Sequence, residues 1–281
     1  MVKSRFTFQH SVRVVCAIGW SDFLLKYRGS ILGYLWSLIG PVVKFLVMLF
    51  AIGPYVSSTI PHYPLYLFLG LIIWEHFSNT TTNCMTMLFD KEVLITRMRF
   101  PRILLVLMVG WTNLVVFLTY LLIFLVSCFF AGIFPSWQQF LYLPLILLQM
   151  SLVALGVGMV LSAYSLKYRD VQHLWLVLLQ MLFWLTPIFY PYKADRPLAA
   201  AFLQTVAHPN WSSYTNLFSD FVLLQPLSIL INDARRASLF PEALAVPSLA
   251  HAVGFTLVCG IIFFIGMRTF EKRSRYFVQE Y

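Results

Sequence analysis

The sequence predicts an all-α integral membrane protein with six transmembrane helices. Of its 281 residues, 60% are hydrophobic and only 11% are charged, and the mean hydropathy is +0.78. Because about a quarter of the residues in a soluble domain are charged, this composition excludes a soluble globular protein, a disordered chain and a disulfide-rich secreted scaffold. Two further observations favour a membrane fold. Apolar runs long enough to cross a bilayer recur along the chain, and Lys and Arg concentrate in the short segments between them.

Six apolar runs are candidate spans, because a transmembrane helix needs about 20 mostly apolar residues. They are residues 31–52, 64–88, 103–131, 140–166, 172–190 and 249–267. The second run is the least apolar, since it turns polar over residues 78–83. Hydroxyl and amide side chains form hydrogen bonds between helices. We therefore expect this span to pack inside protein or line a cavity rather than face lipid.

The distribution of Lys and Arg predicts that both termini are cytoplasmic. Fifteen of the 20 Lys and Arg residues fall in four segments on one side of a six-span protein. These segments are residues 1–30, 89–102, 167–170 and 268–281. The opposite loops, residues 53–63 and 132–139, contain none. Since positively charged loops stay in the cytoplasm, the net charge of +9 reflects membrane orientation rather than binding of nucleic acid.

Residues 1–30 are predicted to form a cytoplasmic amphipathic helix at the membrane interface. Apolar positions before the first span recur at helical spacing and form one stripe. The stripe consists of Val12, Val15, Cys16, Gly19 and Phe23. Lys26 falls near the same stripe, so the amphipathic pattern is imperfect. A helix of this kind lies on a leaflet rather than crossing it.

The segment 191–248, between the fifth and sixth spans, is too long for a simple hairpin loop. Its two apolar stretches, residues 199–207 and 217–231, are too short to cross a bilayer, so they predict short re-entrant or interfacial helices. Two interpretations stay open, namely amphipathic caps over the bundle and an external gate beside a translocation path. The last span, residues 249–267, leads into a cytoplasmic tail, residues 268–281.

The sequence contains no motif of an enzyme that acts on its own. It lacks the GxxxxGK[ST] phosphate loop of ATPases, the H-E-x-x-H metal motif and the GxSxG nucleophile motif. Its four cysteines are widely separated and belong to no CxxC or His cluster, which predicts free thiols rather than a disulfide or a zinc site. We therefore expect no catalytic residue, no metal and no cofactor in this chain.

Three ionisable residues stand out near the middle of the predicted spans. A charge at that depth is costly and faces protein or a water-filled cavity. Lys44 either reaches towards an interface or lines a pathway, where it attracts an anionic substrate. Glu75 and His76 are either a proton relay or catalytic pair, or, as we favour, a hydrogen-bonded structural or pathway-lining pair.

Aromatic residues make up 17% of the chain, and many flank or occupy the predicted spans. The ordinary explanation is the aromatic belt at membrane interfaces. Aromatic rings also stack on the apolar faces of sugars, which suits a polysaccharide path. Composition does not separate these two interpretations.

Five local patterns, taken in order, resemble the permease subunits of bacterial polysaccharide exporters of the ATP-binding-cassette type. Members of this family export O-antigen, capsule or teichoic-acid polymers. The patterns are Lys26–Trp36 running to Pro41, Leu69–Phe77, Arg99–Arg102, Ala154–Gly158 with Leu161-Ser162 and Tyr168–Val171, and Leu185–Pro191. The six-span plan extends the resemblance over nearly the whole chain. One departure is His208-Pro209-Asn210, where the family often carries an Asn-Pro pair.

The resemblance implies a working unit of two copies of this chain and two separate ATPase subunits, which bind the ATP and Mg²⁺. It assigns docking on the ATPases to the N-terminal helix and the cytoplasmic loop 89–102. The implied docking residues are Asp90, Arg97, Arg99, Phe100 and Arg102. The alternative role of these arginines is membrane topology alone. In the next cytoplasmic turn, Arg169 and Asp170 are expected to form a structural pair that holds two spans together.

The resemblance further implies a channel-forming permease in the bacterial plasma (inner) membrane that moves a lipid-linked polysaccharide out of the cytoplasm. Spans one, two and five are expected to line the path. The implied path residues are Tyr34, Trp36, Lys44, Trp74, Glu75, Trp184, Phe189 and Tyr190. Three alternatives stay open. They are a related permease for a lipid or a drug, a membrane transferase acting on lipid-linked sugars with Glu75 and His76 in its site, and an accessory structural subunit.

Overall fold

The computed structural model describes most of the apolar part of the chain. The described residues are 28–91 apart from Leu32 and Thr59, 102–134, 137–190, 222, 225–239 and 248–274, with seven positions between residues 13 and 24. Several predicted features lie outside the described residues, namely Arg97, Arg99, Phe100, the triplet His208-Pro209-Asn210, most of segment 191–248 and residues 275–281.

Seven helices with defined bounds make up the described part of the chain, and no strand occurs in it. The prediction of an all-α fold is therefore confirmed. The helices are α1 (Leu35–Val56), α2 (Tyr63–Asp90), α3 (Arg102–Phe130), α4 (Trp137–Ser165), α5 (Asp170–Leu185), α6 (Pro226–Ser238) and α7 (Leu249–Ser274). The seven described positions between residues 13 and 24 are helical as well.

Four of these helices, α1, α3, α4 and α7, are long and apolar enough to cross a membrane. Helix α2 has 28 residues, but its polar run lowers its hydropathy. Helix α5 has only 16 residues, which span about 24 Å at the usual rise of an α-helix. Length and composition thus fit a multi-pass membrane protein.

Helix α5 ends at Leu185, so the predicted span 172–190 is too long at its C-terminal end. Pro187 explains the early end, because proline lacks a backbone N–H and disfavours helical geometry in the residue before it. That residue, Thr186, has extended backbone angles, with φ −78° and ψ 134°. Residues 186–190 then form a non-helical turn, called here the α5 turn.

Helix α1 begins at Leu35, four residues later than the predicted span 31–52. Gly29 and Gly33 explain the late start, since their φ angles are +81° and +50°. A left-handed conformation is accessible to glycine without steric cost, but it cannot continue a right-handed helix.

Helix α2 lies at the centre of the bundle and contacts α1, α3, α4, α5 and α6. Its polar residues bond to neighbouring helices. The indole N–H of Trp175 on α5 donates to the Thr81 hydroxyl oxygen at 3.1 Å. The amide of Asn83 donates to the side-chain oxygen of Asn113 on α3, also at 3.1 Å. The prediction that this helix packs inside protein is confirmed, and hydrogen bonds between helices explain its polar run.

Helices α4 and α7 cross with their backbones in contact at Gly156 and Gly266. A Cβ atom on Gly156 would lie 2.8 Å from the Cα of Phe263. Two residues further along α4, a Cβ atom on Gly158 would lie 2.9 Å from the Cβ of Cys84 on α2. The two glycines therefore let one helix approach two neighbours closely, as small residues do in membrane bundles.

The described N-terminal positions pack on the end of the bundle where α3 begins and α7 ends. Val15 is buried and belongs to the same apolar cluster as Leu105 and Phe270. The Thr112 hydroxyl donates to the carbonyl oxygen of Gly19 at 3.4 Å. The predicted N-terminal helix therefore rests on the bundle through a buried face that includes these positions.

Candidate functional site

An ion pair joins α1 to α2 near the middle of both helices. The ammonium of Lys44 lies 2.6 Å from a carboxylate oxygen of Glu75. The Lys44 side chain is 42% exposed and the Glu75 side chain 14%. The sequence predicted both residues for the substrate path, and the structure brings them into contact.

The position of the pair follows from the antiparallel arrangement of α1 and α2. Lys44 lies 12 residues before the end of α1 at Val56, and Glu75 lies 12 residues after the start of α2 at Tyr63. At 1.5 Å per residue, both side chains start about 18 Å from the connecting turn. The two charges thus meet at equal depth, where an unpaired charge is costly.

A row of aromatic side chains, called here the aromatic ridge, begins beside the ion pair on α2 and continues on α5 and the turn after it. It consists of Trp74, Phe183, Trp184, Phe189 and Tyr190. The Lys44 ammonium lies 5.2 Å from the centre of the Phe183 ring, within the range of a cation–π contact. Successive ring centres of the ridge are 5.0 to 5.8 Å apart. Trp184 is 62% exposed, whereas Trp74 is buried, so the open ring surface near the charged pair is mainly that of Trp184.

The α5 turn positions the outer end of the ridge, and four consecutive carbonyl oxygens of the turn accept hydrogen bonds. The guanidinium of Arg235 on α6 donates to Pro187 at 2.7 Å and to Ile188 at 2.6 Å. The hydroxyls of Tyr63 and Tyr66 on α2 donate to the carbonyl oxygens of Phe189 and Tyr190, at 3.1 and 3.0 Å. Non-helical backbone at membrane depth requires such partners within the protein.

Two further contacts hold the start of the turn. The side-chain amide of Gln225, next to α6, donates to the Thr186 hydroxyl oxygen at 2.9 Å. Gly70 on α2 leaves room for the turn, since a Cβ atom there would lie 3.0 Å from the carbonyl oxygen of Ile188 and 2.8 Å from the guanidinium of Arg235. Helices α2 and α6 together therefore fix the turn that carries Phe189.

Arg235 is buried, with 2% of its surface exposed. Its guanidinium also donates to the carbonyl oxygen of Tyr66 at 3.2 Å and stacks over that ring at 3.3 Å. Burial lowers the pKa of Arg235 to about 10, so the side chain stays charged at neutral pH. Backbone carbonyls and a ring face, rather than a carboxylate among the described residues, stabilise this charge.

A second polar contact ties α6 to α7. A carboxylate oxygen of Asp233 lies 3.0 Å from the imidazole Nε2 of His251. Burial raises the pKa of the Asp233 carboxyl, and the hydrogen bond from His251 opposes that rise. Helix α6 thus contacts α2, α4 and α7 and carries the residue that holds the α5 turn.

Glu75 and His76 do not form one site. Glu75 reaches Lys44 on α1, whereas the His76 ring is buried against Phe117 on α3, with ring centres 5.1 Å apart. Adjacent residues on a helix project about 100° apart, since 3.6 residues make one turn. The arrangement places the carboxylate on the ridge and the imidazole in the core.

Comparison with known proteins identifies the family. A sequence profile described as "ABC-2 type transporter" matches residues 13–217. The chain belongs to the ABC-2 type transporter family. The matched part of this ABC-2 transporter includes Lys44, Glu75 and the whole aromatic ridge, whereas α6 and α7 lie beyond it.

Individual relatives of this ABC-2 transporter are permeases and transport proteins for bacterial polysaccharides. The O-antigen export system permease protein RfbA of Myxococcus xanthus is 31% identical over 68% of this chain and 73% of the relative. RfbA of Klebsiella pneumoniae is 26% identical over 67% and 73%. The polysialic acid transport protein KpsM of Escherichia coli is 22% identical over 89% of this chain and 88% of its own.

The remaining predicted path residues of this ABC-2 transporter lie away from the ridge. Trp36, with Tyr34 just before it, is at the opposite end of α1 from the α5 turn. Eight residues of helix separate Trp36 from Lys44, a distance of about 12 Å. Trp36 is 58% exposed. The structure therefore brings six of the eight predicted path residues into one continuous group. The other two, Tyr34 and Trp36, lie nearer the predicted cytoplasmic side.

The predicted cytoplasmic residues of the ABC-2 transporter lie at helix ends. Asp90 is the last residue of α2, and Arg102 is the first residue of α3. Arg169 and Asp170 begin α5, and both are exposed. In the described part of the chain, no ion pair joins these last two residues to each other or to a third residue. Their structural pairing stays a prediction.

Four side chains that help to build the site of this ABC-2 transporter were not predicted from the sequence. They are Phe183, which contacts Lys44, and Arg235, Tyr63 and Tyr66, which hold the α5 turn. Phe183 stands in an apolar run, where one aromatic residue looks like any other. A signal for Arg235 existed, since it lies with Asp233 just after the short apolar stretch 217–231, but its partners are backbone atoms far along the chain.

Proposed function

We propose that the chain is the permease subunit of an ATP-driven exporter that moves a lipid-linked polysaccharide out of the cytoplasm across the bacterial plasma (inner) membrane. The family and the named relatives support this function. The observation that carries the proposal is the ridge of aromatic rings beside the Lys44–Glu75 pair, in which Trp184 is exposed and Phe183, Phe189 and Tyr190 are half-buried. Aromatic faces and paired hydrogen-bonding groups together suit a sugar chain that slides past them.

In this proposal six helices cross the membrane, namely α1 to α5 and α7, and both termini are cytoplasmic. Support comes from the cationic helix ends, since Lys91 and Lys167 follow α2 and α4, Arg102 begins α3, and Arg268, Lys272 and Arg273 lie in the last two turns of α7. Helix α5 crosses together with its non-helical turn. Helix α6 is re-entrant from the outside, which its burial against α2 and α4 supports.

The proposed working unit contains two copies of the chain and two ATPase subunits, which hold the ATP and Mg²⁺. The outer surface of α1 supports a second copy, because the helix is apolar and only Met48 and Gly53 of its 22 residues are buried. Such a surface needs lipid or another protein chain to cover it. The ATPases dock at the cytoplasmic end, on the N-terminal helix and the loop that contains Arg97, Arg99 and Phe100.

In the proposed mechanism, ATP binding moves the N-terminal helix and the docking loop. This motion reaches α3 through Gly19, whose carbonyl accepts from Thr112, and α2 through the apolar cluster that includes Val15 and Leu88. The two copies then part along the face formed by α1 and α5, and the glycan passes between the two ridges. The α5 turn, held by α6, forms the outer end of the path.

Affinity purification of the tagged protein in mild detergent, followed by mass spectrometry, tests this function. A stoichiometric ATPase subunit is expected with the protein, and loss of the gene is expected to leave a lipid-linked glycan inside the cell. The double variant Arg97→Ala with Arg99→Ala supplies a control, because it should release the ATPase and leave the membrane helices intact. A protein that is repeatedly isolated alone, with transferase activity that Glu75→Gln abolishes, would contradict the proposal.

A further inference from the structure

The surface formed by α1 and α5, together with Glu75 of α2, has no net charge at its centre. In the described parts of the helices that we propose to cross the membrane, α1 to α5 and α7, Lys44 and Glu75 are the only Lys, Arg, Asp or Glu residues more than two turns from a helix end. Their charged groups lie 2.6 Å apart, so the field of one cancels that of the other a short distance away. The ridge beyond them is aromatic and uncharged.

We propose that this ridge is a subsite for an uncharged, hydroxyl-rich glycan, and that Glu75 is the residue that discriminates against anionic glycans. The inference rests on the proposed export function and narrows its substrate class. It also replaces the expectation that Lys44 attracts an anionic substrate, because that ammonium already has a carboxylate partner.

The chemistry of the pair matches sugar hydroxyls. An ammonium offers three N–H donors, of which one goes to Glu75, and a carboxylate has several acceptor positions. A sugar hydroxyl both donates and accepts, so two neighbouring hydroxyls bridge the pair without separating it. The exposed ring of Trp184 lies in the same ridge and offers a surface for the apolar face of the sugar.

Binding of an anionic sugar at the same place is expected to be less favourable. To bind its carboxylate or phosphate, Lys44 must leave Glu75, whose side chain is only 14% exposed. The Glu75 carboxylate is then left unpaired in a partly buried position, and it repels the incoming anion. Specificity of this kind arises from a repulsive group placed against the wrong ligand.

The test compares two soluble oligosaccharides on the full-length protein together with its ATPase subunits, in nanodiscs with a non-hydrolysable ATP analogue, because the proposed path opens when ATP is bound. The uncharged probe is maltohexaose, and the anionic probe is a hexamer of α2,8-linked sialic acid. Quenching of tryptophan fluorescence gives the two dissociation constants, since Trp74 and Trp184 lie in the ridge. The wild type is expected to bind maltohexaose about tenfold more tightly than the sialic acid hexamer.

Glu75→Gln is expected to leave Lys44 unpaired and to shift the ratio of dissociation constants at least about tenfold towards the anionic probe. Glu271→Gln, at the exposed cytoplasmic end of α7, makes the same change in net charge outside the site and should leave the ratio unchanged. The double variant Lys44→Gln with Glu75→Gln lacks both the repelling carboxylate and the attracting ammonium, so its ratio of dissociation constants should lie between those of the wild type and Glu75→Gln. It also covers the case in which Glu75→Gln alone fails to fold.

Equal or tighter binding of the sialic acid hexamer by the wild type would overturn the inference, as would an unchanged ratio in Glu75→Gln. Binding of neither probe also overturns it, because the ridge is then not a glycan subsite. The export function is tested separately by cell-surface glycan in a strain that carries each variant. If surface glycan is normal but the protein does not discriminate between the probes, the subsite is rejected and the export function is retained. If loss of the gene affects no glycan, the export function is rejected.

Discussion

Arg235 on α6 donates a hydrogen bond of 2.6 Å to the carbonyl oxygen of Ile188, one residue after the proline that ends α5. The same guanidinium reaches Pro187 at 2.7 Å. A short helix late in the sequence thus completes the backbone bonding of a turn that precedes it by more than 40 residues. The ridge residue Phe189 follows directly, so its direction depends on this contact.

Arg235→Met is expected to destabilise the protein by about 3 kcal/mol, because buried carbonyl oxygens lose their charged donor. The measurement is the free energy of unfolding in detergent, by denaturant titration. Arg236→Met, one residue further along α6 and only partly buried, removes the same charge and should cost far less. Equal losses in the two variants would show that the guanidinium of Arg235 does not hold the turn.

Gly70→Ala tests the space that the turn requires. The new methyl group would lie 2.8 Å from the guanidinium of Arg235 and 3.0 Å from the carbonyl oxygen of Ile188. Since an overpacked core costs about 1–3 kcal/mol, we expect a loss of stability and of export. Gly254→Ala on α7, where nothing outside its own stretch of helix lies within 4 Å of the new Cβ, is the matched control. Its stability should stay equal or rise slightly, because alanine favours helix over glycine.

The crossing of α4 and α7 gives a third prediction. Gly156→Ala places a methyl group 2.8 Å from the Cα of Phe263, and backbone cannot move aside as a flexible side chain does. We expect a loss of at least about 2 kcal/mol in unfolding free energy. Gly260→Ala on α7 meets open space and should be neutral. A tolerated alanine at Gly156 would mean that the two helices do not approach as closely as described.

Much of this fold was readable from the sequence because the bilayer imposes simple rules. The apolar runs predicted the helices, and the polar residues of α2 correctly predicted a helix packed against others. Prediction failed at the end of α5, since apolar residues continued past Leu185 although Pro187 had already ended the helix. The sequence contained that signal, but the hydropathy of the run outweighed it.

Part of the site was also readable, and for a physical reason. Lys44 and Glu75 stood out because a charge is rare in the middle of a span, and the structure joins them. Arg235 did not stand out, since its partners are carbonyl oxygens, and every residue has one. Contacts between a side chain and distant backbone leave no pattern in residue types. The hydrogen bonds by which α6 holds the α5 turn could therefore be found only in the structure.

Trp175→Phe provides a fourth prediction, about the polar run of α2. The substitution keeps an aromatic ring on α5 but removes the N–H that donates to Thr81 at 3.1 Å. Hydrogen bonds between membrane helices contribute about 0.6 kcal/mol on average. A double-mutant cycle with Thr81→Val should return a coupling energy near that value. A coupling of zero would show that the bond from the indole N–H to the Thr81 hydroxyl oxygen adds nothing to stability, and that the bond which the hydroxyl donates to the carbonyl oxygen of Phe77 is sufficient.

The final prediction concerns the docking loop. If Arg97 contacts the ATPase, Arg97→Ala should fold and insert normally, retain less ATPase on purification, and export less glycan. The change removes a charged hydrogen-bond donor from an interface, which costs about 2 kcal/mol or more, or at least about tenfold in affinity. Arg169→Ala, in the other cytoplasmic turn, is the control for loss of positive charge on that side. If Arg97→Ala instead prevents folding, and no folded but uncoupled protein can be obtained, the arginine serves membrane topology rather than docking.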